Sequence, residues 1–275
     1  MQILPSVHPH DLPGDPAELR RRFLLGELFQ SGRTELAYWE VDRTVIGGAV
    51  PTTEALDLMA PGLLGSGSFC ARRELGIINL GGSGEIVVDG QSFEMAPRDG
   101  LYVGRGAEQV TFTSRAAGTP ARYYLLSYPA HASYPVKHVA HANVTPVELG
   151  APETSNRRTL YKYFAPGVVE TCQLTMGLTA LATGSVWNTL PPHTHLRRSE
   201  VYCYCELVDE NAVIHLMGEP AATRHLVMRN LEVVVSPSWS IHAGAGTSNY
   251  AFVWGMGGEN QDFADMNPAP IASLY

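Results

Sequence analysis

PPHTHLRRSEVY, residues 191 to 202, sets two histidines one residue apart and a carboxylate five positions later. Side chains alternate along an extended strand, so His193 and His195 project from one face. Glu200 has the wrong parity for the same straight strand, so LRRS is expected to turn the chain into a second one. On that returning strand Glu200, Tyr202 and Tyr204 face inward, while Val201, Cys203 and Cys205 face the other way. Pro191 and Pro192 cannot donate ladder hydrogen bonds and suit a strand end. Two imidazoles and a carboxylate from adjacent strands then converge, which requires a β framework.

The surrounding sequence supplies one. GEIVVDGQSFEM (84–95) reads as a hairpin turning at Asp89-Gly90, and LYVGRG, QVTFTS, RYYLLSY, CQLTMGLTAL, AVIHLM, RHLVMRN, LEVVVSP and YAFVWGM continue the short runs. Such a series implies a sandwich or barrel rather than an α/β sheet. One helix precedes it, with Asp15 as cap, Pro16 at its first position, Glu18 completing a capping box, and an apolar stripe of Phe23, Leu24, Leu25 and Leu28. ARRELGIINL (71–80) echoes LRRSEVYCY (196–204), aligning Glu74 with Glu200, and LYVGRGAEQVTF (101–112) echoes residues 233–254. Two β units follow, at 1–145 with the helix and 146–275. Between them, YPAHASYPVKHVAHANVTP (128–146) reads as a solvated linker carrying His138 and His141.

Bulk properties narrow the function. The 275 residues carry a net charge of −8 with no Lys/Arg-rich block, against a nucleic-acid partner. No apolar run reaches the length of a membrane span, and the start lacks the charged and apolar regions of a secretion signal. Cys70, Cys172, Cys203 and Cys205 are too scattered for a disulfide framework, so a reducing cytoplasm is expected.

A fourth imidazole, His242 in SPSWSIHAG, follows a strand and a Pro-initiated turn. With His193, His195 and Glu200 it makes a borderline donor set for Zn, Mn, Fe, Co or Ni. His215 and His225 lie on strand runs and read as satisfied structural residues. The first repeat has Gly67 and Phe69 where the second has His193 and His195, so one metal site per chain is expected.

The spacing Gly184, His193, His195, Glu200, then Pro237 and His242, resembles the two-part metal motif of the cupin superfamily, with a longer Gly-to-His interval. RRELGIINLGGSGEIVVDG, TSNRRTLYKYF, PPHTHLRRSEVY, SPSWSIHAG and WGMGGENQDF further resemble the 4-deoxy-L-threo-5-hexosulose-uronate ketol-isomerases, nearly along the whole chain. That resemblance implies a bicupin fold of two jelly-roll units, a homohexamer, one zinc per subunit on those four residues, and a cytoplasmic role in pectin-derived uronate breakdown. Leu196 departs from the polar or acidic residue expected beside the ligands.

The implied reaction shifts a carbonyl from C1 to C2 through an enediol, with a divalent ion as Lewis acid. A general base is needed, and Glu259 and Lys162 are the candidates. Arg157, Arg158 or Arg198 would grip the substrate carboxylate, though at most one of the adjacent pair can point inward. Gln173, Trp187 and Trp239 are candidate sugar-facing residues. Competing readings are a cupin Fe(II) dioxygenase and a non-catalytic sugar-binding cupin.

Overall fold

The computed structural model describes residues 1–208 and 210–275, which are predominantly β. They cluster into two compact units that are not contiguous in sequence: Met1–Leu4, Glu27–Val144 and Tyr163–Thr175 in the first, Pro5–Gly26, Thr145–Lys162 and Met176–Tyr275 in the second.

Each unit is built on a seven-stranded and a four-stranded sheet. In the first, the larger sheet runs Gln2–Leu4, Thr34–Trp39, Thr44–Ala49, Tyr123–Pro129, Arg73–Asn79, Gly100–Val103, Lys137–Val139. The smaller is Leu56–Asp57, Val110–Ser114, Gly84–Val88, Gln91–Met95. Alternation does the sorting: Ile86, Val88 and Phe112 from the small sheet meet Leu75, Ile77, Leu101 and Leu125 from the large one in a single apolar cluster. The expected hairpin forms, with both turn residues at positive φ (Asp89 47°, Gly90 83°), as a tight two-residue turn demands.

The second unit repeats the plan. Its larger sheet runs Pro146–Leu149, Arg158–Phe164, Thr175–Leu181, Ala251–Gly258, Arg198–Cys205, Val233–Ser236, Leu24–Leu25. The smaller is Trp187–Asn188, Ile241–Gly246, Val213–Glu219, Ala222–Met228. The architecture is thus the expected bicupin, two jelly-roll units in tandem.

Two expectations change. The N-terminal helix is Pro16–Phe23, capped by the Asp15 carboxylate on the Glu18 amide at 2.9 Å, but it belongs to the second unit. Phe23 meets Trp239 edge-on, and Arg20 donates to the Val227 carbonyl and to Glu232. Leu24 and Leu25 leave the helix to pair with Val234 and Val233, so they extend a sheet instead of a helical stripe. The supposed linker is ordered too. Lys137–Val139 pairs with Gly100–Val103, His138 Nε2 lies 3.2 Å from Asp99 Oδ2, and His141 Nδ1 lies 2.6 Å from Tyr163 Oη. Proline and alanine hid these contacts because the segment is an edge strand whose partners are distant in sequence.

Candidate metal centre

In the second unit His193 sits on the short strand His193–Thr194, His195 in the turn after it, Glu200 on Arg198–Cys205 and His242 on Ile241–Gly246. The histidine strand does not pair with its successor as expected. It pairs with Asn267–Pro268 near the C-terminus. One donor atom from each of the four residues falls within 4.8 Å of every other, in positions able to hold a metal ion.

The outer ring nitrogens fix the tautomers. His195 Nδ1 lies 3.0 Å from the Asp265 carbonyl, which can only accept, so Nδ1 carries the proton. Arg198 Nη2 donates to the same carbonyl at 2.9 Å. His242 Nδ1 faces Ser236 Oγ at 3.2 Å, and Ser236 in turn reaches the Ser240 carbonyl. His193 Nδ1 faces Thr189 Oγ1, which reaches the His242 carbonyl. With those hydroxyls donating onward to carbonyls, the same tautomer in His242 and His193 turns all three Nε2 lone pairs inward.

Inside, His242 Nε2 is 3.1 Å from His193 Nε2 and 2.9 Å from Glu200 Oε2, and His195 Nε2 is 3.0 Å from the same oxygen. Lone pairs facing lone pairs at that range call for a cation between them. Donors sharing one ion at about 2.1 Å lie roughly 3–4 Å apart, so the residues fit a divalent metal. The electrostatics agree. Burial, then the neighbouring His242, pushes His193 down to about 3. Burial also depresses His195, but the Glu200 carboxylate more than offsets it and the net shift is upward. Burial would raise Glu200, yet His242 and His195 hold it well below the usual carboxylate range.

His193, His195 and Glu200 of the cluster form part of the wall of a cavity of about 280 Å³. Tyr202, Thr179, Asn188 and Thr189 give the cavity hydroxyl and amide groups, while Phe252, Trp254, Met256, Phe263 and Met266 make much of it apolar. Trp254 fits because Gly177 lies against its indole, where any Cβ would collide. Arg158 is the only Lys or Arg among the described lining residues. Its Nη1 is tied to the Asn156 carbonyl at 3.0 Å.

The other candidates lie elsewhere. Arg157 is exposed, as parity required for one of the pair. Arg198 is buried behind His195, outside the lining, and donates to the Asp265 carbonyl that His195 also faces. Gln173 belongs to the first unit and donates to the Pro129 carbonyl. Trp239 packs on Phe23 and donates to the Val7 carbonyl, while Trp187 pairs with Ala245 at a sheet edge; neither lines the cavity. Glu259 is exposed and off the wall. Lys162 is also off it, with Nζ 4.2 Å over the ring of Phe263, a wall residue. Leu196 is 59 % exposed in the turn and is not among the cavity-lining residues. Tyr202 and the 260–268 segment were missed as site elements. The parity that placed Tyr202 on Glu200's face was the available signal, whereas nothing local announced that the C-terminal segment would pair with the histidine strand.

Among the described residues no helix is long and apolar enough to cross a membrane. The 4-deoxy-L-threo-5-hexosulose-uronate ketol-isomerase of Salmonella newport (strain SL254) is 48 % identical to this chain over 277 aligned positions, with both chains fully covered. The protein of the same name from Escherichia coli O9:H4 (strain HS) is 49 % identical at the same coverage. Among solved structures, an IolB-like protein from Salmonella typhimurium LT2 superposes with a TM-score of 0.69 over 90 % of this chain and 96 % of its own; at 14 % identity that likeness concerns the fold. The family model described as KduI/IolB matches residues 26–270, and the chain belongs to the KduI/IolB family.

Proposed function

We propose that this chain is a divalent-metal ketol-isomerase that converts 4-deoxy-L-threo-5-hexosulose uronate to 3-deoxy-D-glycero-2,5-hexodiulosonate. The observation that carries the reading is a three-imidazole, one-carboxylate cluster, three of whose residues line a small cavity with one cationic side chain, in a chain nearly half identical to ketol-isomerases along its whole length. His193, His195, Glu200 and His242 would hold the ion. When bound, it supplies Lewis acidity toward the oxygens on the two reacting carbons and no redox chemistry if it is zinc.

The chain's own residues do the rest. Arg158 Nη1 is committed to Asn156, leaving the far side of the guanidinium to receive the substrate carboxylate. That contact orients an open-chain uronate with its carbonyl end at the ligand cluster. Phe252, Trp254, Phe263 and Met266 exclude water, which strengthens every charge interaction inside and protects an enediol from side reactions. The net change moves one proton from C2 to C1 and one from O2 to O1, so no outside oxidant or reductant is required.

Family resemblance further supports zinc over Mn, Fe, Co or Ni, a homohexamer, and a cytoplasmic place in pectin-derived uronate breakdown. The test is to incubate purified protein with the 4-deoxy-5-ketouronate and follow isomerisation with and without a chelator. Turnover lost on chelation and restored by one divalent ion per chain is expected. Oxygen consumption coupled to turnover would favour the Fe(II) dioxygenase reading, and uronate binding without conversion the sugar-binding one.

A further inference from the structure

Tyr202 stands two residues beyond Glu200 on the same face of the Arg198–Cys205 strand, roughly 6–7 Å along it. It is 4 % exposed and lines the cavity. Its ring is fixed by neighbours: Phe252 at 4.7 Å between centroids, His242 at 5.3 Å, His215 at 6.0 Å and Tyr204 at 6.2 Å.

The adjacent phenols are all satisfied by protein. Tyr204 Oη bonds His215 Nδ1 at 2.7 Å, and Tyr250 Oη donates to the Gly244 carbonyl at 3.0 Å. Tyr202 differs, because among the described residues no side-chain hydrogen bond engages its hydroxyl, and the residue lines the cavity. A tyrosine with a buried ring ordinarily places its hydroxyl against a hydrogen-bond partner. The geometry points to substrate as that partner.

We propose that Tyr202 is a catalytic residue whose hydroxyl donates a hydrogen bond to the substrate oxygen on which negative charge develops at the reacting carbons. This rests on the isomerase reading. Thr179 and Asn188 are also buried and line the cavity, but they come from the Thr175–Leu181 and Trp187–Asn188 strands. Tyr202 alone shares strand and face with a residue of the ligand cluster, so its donor is held at the carbonyl end of the substrate. A rigid donor placed beforehand lowers the barrier because it needs no reorientation as charge appears.

The test compares the metal-loaded full chain with its Tyr202→Phe variant, which keeps the ring. Metal content, measured by mass spectrometry, and the circular dichroism spectrum are expected to match. Turnover number should fall on the order of 10²-fold with KM changed less than about threefold. Calorimetric titration with D-gluconate, an acyclic six-carbon hydroxy acid, should show affinity weakened about fivefold or more. Wild-type turnover together with wild-type gluconate affinity overturns the assignment, as does a raised KM with unchanged turnover. A wild-type chain that never converts the uronate, while the variant still loses gluconate affinity, would sink the isomerase reading and leave the Tyr202 contact standing.

Discussion

Glu74 and Glu200 hold matching places in the two units, on strands that each lie between a long antiparallel partner and the strand next to the edge region of the seven-stranded sheet. Both are buried. Glu200 is ringed by imidazoles, whereas Glu74 accepts the backbone amides of Cys172, Gln173 and Leu174 at 2.7, 2.7 and 2.8 Å and the Tyr102 hydroxyl at 2.8 Å. Where one unit gathers donors able to hold a cation, the other turns the same carboxylate into an anchor for its own chain. Glu74→Gln turns one carboxylate oxygen into an N–H donor that faces at least one backbone amide donor, and removes the charge. It should cost about 3 kcal/mol in denaturant unfolding while leaving the metal content of the chain unchanged.

Removal of one ligand tests the cluster directly. Glu200→Gln preserves shape but deletes the anion facing His195 and His242 at 3.0 and 2.9 Å. Metal measured per chain after dialysis should fall well below the wild-type value, and turnover should fall at least 10²-fold. Full occupancy with full activity in this variant is incompatible with the ligand set.

The two candidate proton carriers separate by position. Glu259 is exposed, so Glu259→Gln should leave kcat within about twofold, as surface changes usually do. Lys162 holds its charge over Phe263, which lines the cavity. Lys162→Met should lower kcat/KM about tenfold through displacement of that ring. Steady-state rates on the uronate decide between them.

How much of this was legible in the sequence follows from distance along the chain. His193, His195 and Glu200 of the cluster lie within eight residues, where strand parity predicts convergence, and the two Glu-centred repeats indicated two β units. Parity also allowed only one of Arg157 and Arg158 inward, and Arg158 is the one on the wall. Long-range contacts were not readable. The helix belongs with the second unit because Leu19 and Phe23 bury there, a pairing with residues some two hundred positions away. Arg198 looked like a substrate clamp from its place beside the motif, but its partner, the Asp265 carbonyl, is nearly seventy residues on.

Acid sensitivity has an assignable source in His215. It is fully buried, its Nδ1 is satisfied by Tyr204 Oη, and burial, then the neighbouring His242, drives its pKa down to about 3. The unfolded chain binds a proton there near pH 6.5, so the folded state loses ground as pH falls from 6.5 toward 3. The contribution is complete above pH 6.5 and amounts to a few kcal/mol over that window, on the order of one per pH unit. Unfolding free energies measured between pH 7 and 4 should drop more steeply for wild type than for His215→Phe, and parallel slopes would refute the assignment.

Asp265 ties the C-terminal segment to the cluster through two different groups. Its carboxylate binds Arg197, with Nε at 2.7 Å, and the Asn260 amide at 2.7 Å. Its main-chain carbonyl orients His195 and Arg198. The flanking residues Phe263 and Met266 close the cavity, and Asn267–Pro268 pairs with the histidine strand. Asp265→Ala keeps the carbonyl but frees the loop that positions it, so His195 loses a fixed tautomer and a fixed ring plane. Metal affinity should weaken roughly 10- to 100-fold, because the partners that orient a ligand contribute on that scale. Overall stability should change little, since the Arg197 pair is partly exposed and screened by solvent. Competition with a chromogenic chelator, set beside a thermal melt, separates these outcomes: unchanged metal affinity would show that the carbonyl is held by the backbone pairing alone.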